Sequence, residues 1–444
     1  MAGMAPTVSR ALWRNRNWRL LWLSQSASLA GDIVFDTSVL LWVVQIIARH
    51  QPWAPAAGSG VLIAAVAPAV VLGPFAGVLV DQWDRRRTML VADAVRALLV
   101  AALVPLAFPS VAGQLPTVGR LALIYLLVAA AACFSQFFNP SRFALLAVIV
   151  AEPDRPRASG LLMSSMYGAS IVGPPLAAPL LFAAGVQWAL VINALSFALS
   201  LLATWLIRVP AASAGPLARA EPGSRGYRGE LAAGLRFFAA SPVLVALGVG
   251  LFVTVLGASA LNALDVFFIQ ANLHASARLY GTLGMAEGIG GLLGALAAGR
   301  VIARAGADRV FWAGLVLAGV AIVCYSLLSG LIIALVVIAV IGLILGCVNA
   351  ATAPLLLAAT PPQLIGRVTS VITPAASAAA IAALAVAGAL PSTALRGLDV
   401  RLAGVTFGPY NTVIGAGGLL FVAAGLAAIG ALRGGRGRPT GQTH

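Results

Sequence analysis

Four acidic side chains lie in stretches too apolar to hold them without a reason. Asp32 and Asp36 are one helical turn apart, and Gln25 and Ser28 share their face of the helix. An ionisable group at the centre of a bilayer costs about 2.5–3.5 kcal/mol on insertion scales, so each such residue is a candidate for function. Two carboxylates this close in a medium of low polarity resist ionising together, which is the behaviour of a proton site. Asp32, nearer the middle of its segment, ranks first. Glu287 sits among glycines at four-residue spacing, from Gly284 to Gly294. That spacing predicts close helix packing on one face, so the acid needs a partner or a wet cavity. Asp265, close to Asn262, is the fourth member of this proton- or substrate-coupling set.

Other chemistries are excluded by what is missing. All 28 basic residues are arginine, so neither a phosphate-loop lysine nor a Schiff base is available. The histidines (His50, His274, His444) are far apart, and Cys133, Cys324 and Cys347 lie in apolar runs, so no metal-ligand spacing exists. Neither a Gly-x-Ser-x-Gly elbow nor a His-Glu-x-x-His pair is present. The chain reads as neither an enzyme nor a metal or cofactor protein.

The elements that must carry these acids are membrane spans. The 444 residues are 61% apolar and only 9% charged, where a soluble protein has about a quarter charged. Twelve apolar segments, each bounded by Gly, Pro or charge, fit the length of about 20 residues per crossing. They run 19–47, 58–80, 88–108, 119–141, 158–182 and 187–208, then 242–268, 278–299, 309–329, 331–355, 368–390 and 408–432. The expected organisation is an N-terminal stretch (1–18), a six-helix half (19–208), a linker with a short surface helix (209–241), a second half (242–432) and a tail (433–444). The net charge of +15 invites a nucleic-acid reading, but the arginines gather in alternate loops. Five (Arg49, Arg120, Arg278, Arg396, Arg401) fall on one side, Arg96 lies within a span, and all the others fall on the opposite side. This asymmetry predicts a bacterial inner-membrane protein with both termini cytoplasmic, and lets anionic lipids explain the charge.

The halves echo one another. An offset of 222 sets Gly77 on Gly299 and Arg87 on Arg309; an offset of 210 sets Asn139 on Asn349 and Arg157 on Arg367. Duplicated six-helix units are a common construction for secondary transporters. Asp93 and Arg96, three apart, are expected to satisfy each other near the cytoplasmic end of span three. With Asp81, Arg85, Arg86, Arg87 and Arg142 they could form a charge cluster on the inner face.

The run from Gly77 through Asp81 to Arg85, Arg86 and Arg87 resembles the loop signature of the major facilitator superfamily, with Asp84 in place of a glycine. Gly168, Gly173, Pro174 and Pro175 resemble part of its antiporter Gly-Pro motif. The opening Asn17-Trp18-Arg19, Gly31-Asp32, Asn139-Pro140-Ser141-Arg142 and Gly281 to Gly294 are similar to its drug, macrolide and siderophore exporters. The resemblance implies twelve transmembrane helices in two pseudo-symmetric halves around a central cavity, an all-α fold. It implies proton-coupled efflux of an amphipathic small molecule, with a lipid flippase or uptake symporter as alternatives in the same fold and a non-transporting receptor or scaffold as the remote one. The charge cluster would then be a latch, and Gly168, Gly173 and Pro174 a hinge or packing motif. Span four, drawn to residue 141, holds no embedded arginine of the kind drug–proton antiporters carry. Gln25, Gln136, Tyr167, Asn193 and Asn262 are the expected cavity lining. The expected partners are a small-molecule substrate, protons and membrane lipids, without nucleic acid, for a monomeric chain.

Overall fold

A computed structural model describes residues 12–208, 235–361, 365–402 and 405–434. Among them, twelve helices are long and apolar enough to cross a membrane. They are α1 (Arg16–Trp42), α2 (Ala54–Gln82), α3 (Arg85–Ala101), α4 (Thr117–Ile149), α5 (Arg155–Pro179) and α6 (Val186–Leu206). Then come α7 (Pro242–Ala271), α8 (Tyr280–Ala305), α9 (Ala307–Ser326), α10 (Leu331–Ala359), α11 (Ile365–Ser392) and α12 (Pro409–Gly434). The all-helical membrane fold read from the sequence is the observed one. Among the described residues its one departure is a hairpin between α11 and α12, where β1 (Val400–Leu402) pairs antiparallel with β2 (Val405–Phe407). Most of the expected linker, including Glu230, and most of both tails lie outside the described residues.

Helix starts follow their polar punctuation. Asn15 accepts from the Trp18 amide at 3.1 Å to cap α1, and Asp84 accepts from the Arg87 amide at 2.7 Å to cap α3. Both α1 and α5 widen at their far ends into a π-turn, at Val43–Ile47 and Leu180–Ala184.

By contact the chain divides into two compact units, residues 1–49 with 64–220, and residues 50–63 with 221–444. In the first, α1 packs against α5 and α6, and α3 against α4 and α6. Polar links gather alternate helix ends at one level. Asn15 Nδ2 donates to the Ile149 carbonyl at 2.7 Å, joining the start of α1 to the end of α4. Asn17 exchanges two bonds with the backbone of Arg208, just beyond α6. Arg86, at the start of α3, donates to the carbonyls of Thr204 and Trp205 at the end of α6. These carbonyls are the helix's own unsatisfied acceptors, and a cation there also meets the negative end of its dipole.

The second unit repeats the pattern. There α7 packs against α11 and α12, and α9 against α10 and α12. The duplication suggested by four residue pairs is therefore a duplication of packing. It extends to a detail of backbone: His50 after α1 and His274 after α7 both take a left-handed conformation, at φ 60° and 51°. One contact is strong in the second unit alone: α8 lies directly on α10. A Cβ added to Gly290 or Gly294 would collide with the carbonyls of Ala339 and Leu343, and one on Gly342 or Gly346 with those of Glu287 and Gly291. Glycine on both faces brings the two backbones into contact, where van der Waals packing holds helices together without a hydrophobic drive from water.

Candidate functional site

The first unit holds a cavity of about 260 Å³ among α1, α3, α4 and α6. Its position follows from close approach on one side of α1. Gly31 sits where a side chain would strike Ser196 and Asn193 of α6, so α1 lies tight on α6 there. The next residue, Asp32, then faces Asn193 and the cavity. Asp36, one turn on, lines the same space and is the more exposed of the two. Phe35, which is buried, supplies an apolar wall between them.

Two arginines face the aspartates. The Arg96 guanidinium lies over the rings of Phe197 and Phe138, at 3.9 and 4.7 Å from their centroids. It also approaches Asp93 at 3.5 Å and donates to Ser135 Oγ at 3.4 Å. Both members of the Asp93–Arg96 pair are almost wholly buried, and aromatic faces supply part of what water would have given the cation. Arg142 is 8% exposed. It donates to Gln25 Oε1 at 3.3 Å, and Gln25 is oriented by its own donation to Ser200 Oγ at 3.2 Å. No described carboxylate lies within 4 Å of Arg142, yet Asp32 is within electrostatic reach of both arginines. The cavity therefore carries a carboxylate and a guanidinium near one another and not locked together.

Two expectations need correction here. The span drawn over 119–141 continues as α4 to Ile149, so Arg142 is a buried residue of the helix and not a loop charge. Its apolar continuation Phe143 to Ile149 keeps the helix going past a proline and an arginine, each of which reads as punctuation. The first unit thus does hold a helix-embedded arginine. The Asp93–Arg96 pair exists, but its Arg96 lines the cavity with Arg142 and not with the loop arginines. Arg86 serves the carbonyls of α6, while Arg85 and Arg87 pair with no described carboxylate. Gly77 and Asp81 fall on α2, but their surroundings lie outside the described residues.

Of the expected lining, Gln25, Gln136 and Asn193 face this cavity. Tyr167 is half-buried on α5 and is not part of its wall. Gly173 lies against Ile33 of α1, a close approach beside Pro174, whereas Gly168 has open space around it.

In the second unit, Asp265 is buried and accepts from the Tyr325 hydroxyl at 3.1 Å. Glu287 and Tyr280 lie within electrostatic reach of it. The Tyr280 hydroxyl donates to the Asn262 carbonyl at 3.2 Å, and the Asn262 side chain, which is exposed, donates back along α7 to Ala258. The structure thus gathers three predicted residues, Asp265, Glu287 and Asn262, and adds two tyrosines that the sequence reading missed. Tyrosine is an ordinary apolar-span residue by composition; only the packing of α8 and α9 on α7 reveals its hydroxyl as a partner. Among the described residues no group of His, Cys, Asp and Glu has the geometry to hold a metal ion.

Comparison with known proteins agrees with this architecture. The sequence profile of the Major Facilitator Superfamily matches residues 27–384. An uncharacterised MFS-type transporter, YfiS of Bacillus subtilis, is 28% identical over 194 residues, which cover 44% of this chain and 43% of that protein. Macrolide efflux protein A of Streptococcus pyogenes is 25% identical over 198 residues, 44% of this chain and 46% of that one. The aligned stretch is thus less than half the length of either relative. Among solved structures, a bacterial homologue of the iron transporter ferroportin superposes with a TM-score of 0.73 at 14% identity, covering 94% of this chain and 98% of the other. A bacterial homologue of the human lysosomal transporter Spinster gives 0.66 at 15% identity, covering 94% and 95%. At that identity the likeness is one of fold.

Proposed function

The chain belongs to the major facilitator superfamily of membrane transporters, and from that membership and the cavity of the first unit we propose that it exports an amphipathic small molecule in exchange for protons. The observation that carries the reading is that Asp32, Asp36 and Arg142 line one cavity, with Asp32 in electrostatic reach of the arginine, which is held by an amide and not by a carboxylate. Such an arrangement has two charge states. With Asp32 ionised, Arg142 has an electrostatic partner; with Asp32 protonated, that partner is lost and the cavity becomes more positive. A substrate that binds one of these states better shifts the protonation, and protonation shifts substrate affinity by the same factor. Alternating exposure of the cavity to the two sides of the membrane turns this linkage into exchange.

The relative named for macrolide efflux supports export and an amphipathic cargo. Ser28, Gln136 and Asn193 give the cavity neutral polar contacts and Phe35 an apolar one, a mixture suited to such a molecule. Asp265 and Glu287 form a second acidic centre in the other unit, proposed as an additional proton or cation site. The Asp93–Arg96 pair is a structural prop for the cavity wall. We place the protein in the bacterial inner membrane as a monomer, with both termini cytoplasmic.

The test is transport in proteoliposomes with an imposed pH gradient, using a labelled macrolide and a lipophilic cationic dye as cargo. Gradient-driven movement is expected in the parent chain and its loss in Asp32→Asn, with the variant still folded by size-exclusion profile. Gradient-driven transport at parental rate in Asp32→Asn would remove Asp32 from the coupling step.

A further inference from the structure

A second cavity, of about 570 Å³, opens where α2 ends and α3 begins, against the flank of α4. Its floor is apolar: Val91, Ala92, Phe134 and Phe137, with Trp83 tilted over Phe137 at a centroid distance of 5.6 Å. Trp83 and Val91 are 46% and 57% exposed. At its rim stand Asp84 and Arg87. Asp84 is engaged in capping α3 through the Arg87 amide. The Arg87 side chain is exposed and has no acidic partner among the described residues.

The two units differ in how these helices meet. At the matching face of the second unit, α8 and α10 interlock through Gly290, Gly294, Gly342 and Gly346. The offsets of 222 and 210 place Pro68, Leu72, Ala132 and Gln136 at those positions in the first unit. In the first unit α2 and α4 do not interlock in this way, and Ala132 and Gln136 line the first cavity. Cys347, which donates to the Gly294 carbonyl at 3.2 Å and so seals the second unit's seam, is matched by Phe137, which lines the groove instead.

We propose that this groove is a binding site for one anionic glycerophospholipid, its headgroup phosphate on Arg87 and an acyl chain along Val91, Phe134 and Phe137. The site lies at helix ends on the arginine-rich side of the unit. There a tryptophan at the interface, a basic rim and an apolar floor match the three parts of such a lipid. The assignment is independent of what the transport cavity carries.

Native mass spectrometry of the full chain, exchanged from detergent into mixed micelles of phosphatidylglycerol or phosphatidylcholine, tests it. One phosphatidylglycerol per chain is expected to survive activation, with phosphatidylcholine retained far less. Arg87→Gln should weaken retention about five-fold, and Arg87→Glu further. Val91→Trp, which fills the groove without touching charge, should also displace the lipid. Thermal unfolding by intrinsic fluorescence checks that each variant is folded. Equal retention of the two lipids, parental retention in both Arg87→Glu and Val91→Trp, or a dimer in place of a lipid adduct would overturn the proposal.

Discussion

Removing a single hydroxyl or carboxylate tests the polar centres at the scale of one residue. Tyr325→Phe deletes the donor to the buried Asp265 and leaves its shape. The loss of such a bond to a buried acceptor costs about 1–3 kcal/mol, so the variant should unfold at lower temperature in detergent, while Tyr410→Phe serves as an aromatic control. Asp93→Asn is expected to be worse, on the order of 3–5 kcal/mol, because it leaves Arg96 buried without its counter-charge. Replacing both, as Asp93→Leu with Arg96→Leu, should recover much of that loss. A double variant as unstable as the single one would show that the rings of Phe138 and Phe197, and not the ion pair, position this stretch. At this scale the acids were legible in the sequence, because hydrocarbon makes any carboxylate conspicuous. Their partners were not: Asn193 and Gln136 could be ranked only as polar residues in a span, and Tyr325 not at all, since a hydroxyl on an aromatic ring barely alters hydropathy.

At the scale of helices, glycine is the most readable signal in the chain. The four-residue spacing in α8 predicted a tight face, and α10 is what it meets. Gly294→Val should force α8 away from the Leu343 carbonyl and reduce the yield of monodisperse protein several-fold by fluorescence-detected chromatography, whereas Gly299→Ala, where nothing stands within 4 Å, should be neutral. Equal behaviour of the two variants would show that the interlock contributes nothing to folding. Helix ends were less legible than helix faces. The run Asn139 to Arg142 carries the residues that usually close a span, yet α4 continues to Ile149 because apolar residues follow that pack on α1 and α5. Reading Arg142 as a loop charge was the direct result, and moved a cavity residue to the wrong group.

For the molecule as a whole, hydropathy was the clue that counted the spans. Twelve spans and a duplicated unit could be drawn from composition, punctuation and two offsets. The pairing of helices could not, since most spans are apolar on nearly all sides, and a polar or glycine face, where there is one, does not name the helix it meets. The charge asymmetry makes a prediction of its own. Single cysteines placed near residue 220 and after residue 436, in a background lacking the three native ones, should react with impermeant maleimide only in inverted vesicles. Labelling in right-side-out vesicles would reverse the orientation.

One small amide has a larger consequence for biogenesis. Asn17 bonds both the amide and the carbonyl of Arg208, residues 191 positions apart that bracket the whole first unit. The ribosome delivers Asn17 first and Arg208 last, so these two bonds close only after all six helices of the unit have been synthesised.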